Sequence, residues 1–116
     1  MDRKELIQKY KETPRPAGVY RVRHTPSGKV LLGSSVDAPA FLNRIRAQLS
    51  MNAHPNRALQ ADWDAGGADA FTFEVLDLLP PPEHVAQDLR GDLAMLEELW
   101  REKIEIDGQP SYGRIV

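Results

Sequence analysis

The feature that most constrains this chain is a pair of β-prone runs joined by turn residues. Gly18 to His24 (GVYRVRH) is rich in β-branched and aromatic side chains, and Lys29 to Gly33 (KVLLG) is a second apolar run. Between them stands Thr25-Pro26-Ser27-Gly28, in which proline presets φ and glycine admits the left-handed region. Runs joined by so short a connection pair antiparallel, so a β-hairpin is expected. Alternation puts Tyr20 and Val22 on one of its faces and Arg21 and Arg23 on the other.

The remaining sequence reads mostly as helix. Residues 2–12 mix helix formers with Leu6, Ile7 and Tyr10 and are stopped by Thr13-Pro14-Arg15-Pro16, which predicts a leading helix and a stiff connector. Ser34-Ser35-Val36-Asp37 offers N-caps, Pro39 suits a first turn, and Phe41, Leu42, Ile45 and Leu49 form one apolar stripe. Arg44 and Arg46 fall on opposite flanks of that stripe. His54-Pro55-Asn56 opens a further helix carrying Leu59 and Trp63, closed by Gly66-Gly67. Residues 71–75 alternate as a strand, ended by three prolines, and residues 85–104 form a long helix with Leu89, Leu93, Leu96 and Trp100 on one stripe. The order α-ββ-α-α-β-α predicts one α/β (α+β) domain spanning 1–116, with a small, mainly antiparallel sheet flanked by helices.

Composition narrows the chemistry. The 116 residues contain no cysteine, which excludes disulfide scaffolds, thiolate metal sites and cysteine nucleophiles. No apolar run approaches membrane-spanning length, and the charged N-terminus is not a signal peptide, so a cytoplasmic protein away from membranes is expected. Phosphate-loop, HExxH, GxSxG and EF-hand patterns are all absent, and the histidines at 24, 54 and 84 make no zinc pattern. The net charge of −2 hides an asymmetry: residues 1–60 carry eleven Lys/Arg against four acids, and residues 61–116 carry four against thirteen. A basic half suits an anionic partner, though two such halves can also pair with each other.

Gly18-Val19-Tyr20 and Leu31-Leu32-Gly33-Ser34-Ser35 resemble the paired signature of the GIY-YIG nuclease family. The resemblance continues through His54-Pro55-Asn56, Leu59-Gln60, Trp63, residues 71–76 and Glu97-Glu98-Leu99-Trp100, and covers about residues 17–113. It implies a central three-stranded antiparallel sheet flanked by helices. It also implies a single-metal, one-carboxylate site that hydrolyses DNA phosphodiesters, in DNA repair or processing. Four positions depart from the pattern. Leu31 replaces the second tyrosine, Phe41 stands at the usual arginine position, Ile45 at the histidine and Gly113 at the asparagine.

On this resemblance Tyr20 is the base or water-positioner and Glu97 the ligand of Mg²⁺ or Mn²⁺, bound weakly without DNA because one carboxylate offers few oxygens. The wheel agrees on Glu97: it lies at the edge of the stripe beside Leu93 and Ile104, whereas Glu98 points away. A plain edge carboxylate paired with a nearby arginine fits the same wheel. Arg44, one turn beyond Phe41, is the expected transition-state cation, with Arg46 as its rival. His54 matches a polar family position but also reads as a helix-opening residue. Arg21, Arg23, Lys29, Arg46 and Arg57 are candidate phosphate contacts. The functional expectation is a metal-dependent DNA endonuclease, with a second copy or a partner protein supplying specificity. The alternatives are a non-catalytic nucleic-acid-binding module on the same fold and a protein-interaction domain using the acidic half.

Overall fold

The computed structural model describes residues 16–80 and 89–113; the expected helix over 2–12 and residues 85–88 of the last expected helix lie outside them. Strands β1 (Gly18–His24), β2 (Val30–Ser35) and β3 (Phe71–Leu78) form one antiparallel sheet in the order β2-β1-β3. The hairpin closes through Gly28, whose φ is +77°, as its N–H donates to the His24 carbonyl at 2.8 Å. Tyr20 lies opposite Gly33 on β2 and Val75 on β3, and the β1–β3 register shifts between Val19 and Tyr20.

Helix α1 (Ala38–Ser50) is capped by Asp37, whose carboxylate accepts from the Ala40 N–H. Helix α2 (Arg57–Gly66) is capped by Asn56 and ends at Gly67, where φ is +74°. A 3-10 turn, Ala68–Ala70, leads into β3, and helix α3 (Leu89–Ile106) follows it. The three-stranded sheet with flanking helices is the architecture expected from the sequence.

Being central, β1 is buried on both faces. Tyr20 and Val22 join Leu31, Leu42, Ile45, Leu49 and Leu59 under α1 and α2. Val19 packs instead with Val30, Leu32 and Ile104, the last from α3, with Leu96 and Trp100 against them. Trp100 also donates to Asp77 Oδ2 at 3.1 Å, which ties α3 to β3 and fixes its rotation. The edge strand β2 is partly covered: the Val30 N–H donates to the Pro110 carbonyl, and the Tyr112 N–H to the Val30 carbonyl. That cover sits at the Val30 end and leaves Leu32–Ser34 facing α1 and α3. No helix among the described residues is long and apolar enough to cross a membrane.

Candidate active site

Two glycines decide what the edge of the sheet can hold. A Cβ on Gly18 would collide with the Asp77 carbonyl, so glycine lets β3 approach β1 at the register shift. A Cβ on Gly33 would collide with the Tyr20 hydroxyl and lie 2.5 Å from its ring carbon Cζ. Tyr20 therefore crosses β2 over the bare backbone of Gly33 and brings its hydroxyl to the sheet edge. On its other side the ring packs against Phe41 of α1, centroids 5.2 Å apart.

Glu97 reaches the same edge from the opposite face. Leu93 and Ile104 bury the α3 stripe, and Glu97 stands beside it, partly exposed, while Glu98 faces solvent. Its Oε1 accepts from Ser34 Oγ on β2 at 3.0 Å, and its Oε2 pairs with Arg101 Nη2 at 3.0 Å. Tyr20, Leu32, Gly33, Ser34, Phe41, Glu97 and Arg101 together line a recess of about 260 Å³. Burial pushes the Tyr20 phenol well above its ordinary value of 10.0, and the negative charge of Glu97 raises it further. The phenol is thus protonated at neutral pH in the free protein.

The other expected residues lie elsewhere. Arg44 is exposed and stacks on Phe41, its Cζ 5.9 Å from the ring centroid, and does not line the recess. Arg46 lies 4.7 Å from the Phe73 centroid in a separate groove with Pro39, Leu42, Asn43 and Val75. His54 is buried at the start of α2, where its Nδ1 accepts from the Asn56 N–H at 3.0 Å. Burial lowers its pKa, which favours a neutral imidazole. Arg21 is committed to Glu74, its Nε 2.6 Å from Oε2. Lys29 lies 3.9 Å from Asp62, while Arg23 and Arg57 are exposed.

Leu31 and Ile45, which stand where the family pattern has tyrosine and histidine, are fully buried in the core under α1 and α2. The wall of the recess toward α1 is thus apolar, and its charge comes from α3. Arg101 was not singled out from the sequence. The signal was a basic residue one turn after Glu97, on the same edge of the helix, in a half holding only four basic residues.

No protein-family model and no curated protein matches the chain. Among solved structures, the catalytic domain of the homing endonuclease I-TevI is similar with a TM-score of 0.64 at 22% identity, covering 86% of this chain and 98% of that one. A mutant of the catalytic domain of the intron endonuclease I-TevI gives 0.63 at 19% identity, over 82% of this chain and 90% of that one. I-TevI is a GIY-YIG homing endonuclease, and the chain has a GIY-YIG-like fold.

Proposed function

We propose that the chain is a divalent-metal-dependent DNA endonuclease whose reaction takes place in the Tyr20–Glu97 recess. The observation that carries this reading is the convergence of a phenol and a carboxylate, from opposite faces of the sheet, on one open edge. Phosphodiester hydrolysis needs a group to orient water, a cation on the developing charge and a metal ligand. Tyr20 fits the first need, its protonated hydroxyl facing the recess and orienting an attacking water by a hydrogen bond. Glu97 fits the last. The fold likeness to I-TevI supports the reaction class and DNA as the partner.

The donor set suits one loosely held ion. Glu97 and the Ser34 hydroxyl are the nearby oxygens, and no group of three His, Asp or Glu side chains is arranged for a metal among the described residues. Phosphate and water oxygens must complete the shell of Mg²⁺ or Mn²⁺, so DNA and metal should bind together. When bound, the ion supplies Lewis-acid stabilisation of the phosphate charge and a more acidic water. Ser34 holds the carboxylate by its hydroxyl, and Phe41 and Leu32 exclude solvent from one side. Arg23, Arg46 and Arg57 serve as outlying phosphate contacts, which set affinity without reading sequence. Choice of cleavage site then falls to DNA shape, a second copy of the chain or a partner protein.

The test is conversion of supercoiled plasmid to nicked or linear product in Mg²⁺ or Mn²⁺, with and without chelator. The reading expects cleavage that chelator abolishes and that Glu97→Gln lacks. Salt-sensitive DNA binding with no cleavage under any metal would instead identify a binding module on the same fold.

A further inference from the structure

We propose that Arg101 is the phosphate-directed cation of the recess, and that it exchanges Glu97 for a DNA phosphate when a divalent ion takes the carboxylate. The substrate class rests on the nuclease reading above. Among the described residues, Arg101 is the only Lys or Arg that lines the recess. Phe41 fills the place where the family pattern carries arginine, and Arg44 stacks behind that ring rather than lining the cavity. Among the described residues, the guanidinium placed for a phosphate beside Tyr20 therefore comes from α3.

Its hydrogen bonding is incomplete in a way that suits exchange. Nη2 holds Glu97 Oε2 at 3.0 Å, whereas the buried Nε has no partner among the described residues. A guanidinium presents five donors in a fixed fork, matched to phosphate as well as to carboxylate. A buried N–H left without an acceptor costs free energy, which a side-chain swing onto a new acceptor would recover. Glu97, for its part, has both oxygens engaged, one by Ser34 and one by Arg101. A divalent ion can take that carboxylate fully only if Arg101 lets go, and the freed guanidinium then needs an anion. The DNA phosphate is that anion, so neither charge is left unpaired. Spacing of one helical turn keeps both partners within a single side-chain swing.

The exchange makes two predictions that do not depend on turnover, to be read on the full chain carrying Arg101→Gln or Arg101→Lys. Calorimetric titration with Mn²⁺ in the absence of DNA should give Arg101→Gln an affinity roughly 3- to 10-fold above wild type, because an attractive contact no longer competes. Arg101→Lys should stay near wild type. Duplex DNA binding in Ca²⁺, followed against salt, should lose about one unit of log–log slope in Arg101→Gln and recover it in Arg101→Lys. An unchanged Mn²⁺ affinity or an unchanged slope in Arg101→Gln would overturn the proposal. Single-turnover cleavage should fall about 10²- to 10³-fold in Arg101→Gln. If Glu97→Gln is inactive while Arg101→Gln cuts like wild type, the role of Arg101 fails and the nuclease reading stands. If wild type cuts nothing, the nuclease reading fails, and the Mn²⁺ and salt experiments still judge Arg101.

Discussion

His54 illustrates how one residue type at one spacing supports two readings. Beside Pro55, ahead of a helix, it suited both a polar family position and a helix-opening role. Its environment is that of a latch: Nδ1 accepts from the Asn56 N–H, and the backbone N–H of His54 donates to Gln60 Oε1 at 3.1 Å. With Nδ1 accepting, the proton of the neutral ring sits on Nε2, which is buried without a partner among the described residues. Burial holds its folded pKa below the ordinary 6.5, so below that pH the unfolded chain binds the extra proton first. This contribution to stability is therefore complete above about pH 6.5 and is lost as pH falls through the lower folded value. His54→Asn keeps an acceptor near the Asn56 N–H and removes the titration. Its melting temperature should fall less steeply than wild type between about pH 7 and pH 5. Parallel profiles would show that His54 is not the titrating latch.

At the scale of elements, the hairpin, both capped helices and the outer stripe of the last helix were legible because each is written locally. Turn residues, caps and periodicity sit within a few positions of one another. Tertiary contacts were not legible in that way. The sequence marked Gly18 and Gly33 only through a resemblance; the physical need for them lies in Asp77 and in the Tyr20 ring, which no local pattern shows. The two sites should respond differently to an added methyl. Gly33→Ala meets the end of a side chain, which can swing aside, so it should cost about 1–3 kcal/mol and displace the hydroxyl from the recess. Gly18→Ala meets the backbone of β3, which cannot move without losing pairing, and should cost more. Urea unfolding of both variants checks the order; equal or reversed losses would contradict it. Cleavage should suffer in Gly33→Ala even where the fold survives.

Across the whole molecule, the site is assembled by the sheet's topology rather than by any one element. Central β1 sends Tyr20 to one face, α3 packs on the other, and only the bare edge at Gly33 lets the two meet. Tyr20, the Gly33–Phe41 stretch and the Glu97–Arg101 turn are far apart in the chain, which is why the resemblance marked Tyr20 and Glu97 but not the bonds that Ser34 and Arg101 make to Glu97. The same topology explains where Arg44 and Arg46 lie. They flank a stripe whose buried side faces the core, so their heads stack on Phe41 and Phe73 at the surface. The charge asymmetry along the chain likewise has a local exception, since Arg101 belongs to the acidic half and lines the recess beside Tyr20.

The proposed reaction requires Tyr20 and Glu97 to act together on a DNA phosphodiester at this edge. It is tested most directly by single-turnover cleavage of one end-labelled duplex by wild type, Tyr20→Phe and Glu97→Gln, with DNA affinity measured in parallel. Each substitution should lower the rate by about 10²-fold or more while leaving DNA affinity within roughly threefold of wild type. Wild-type cleavage rates in either variant would contradict the account.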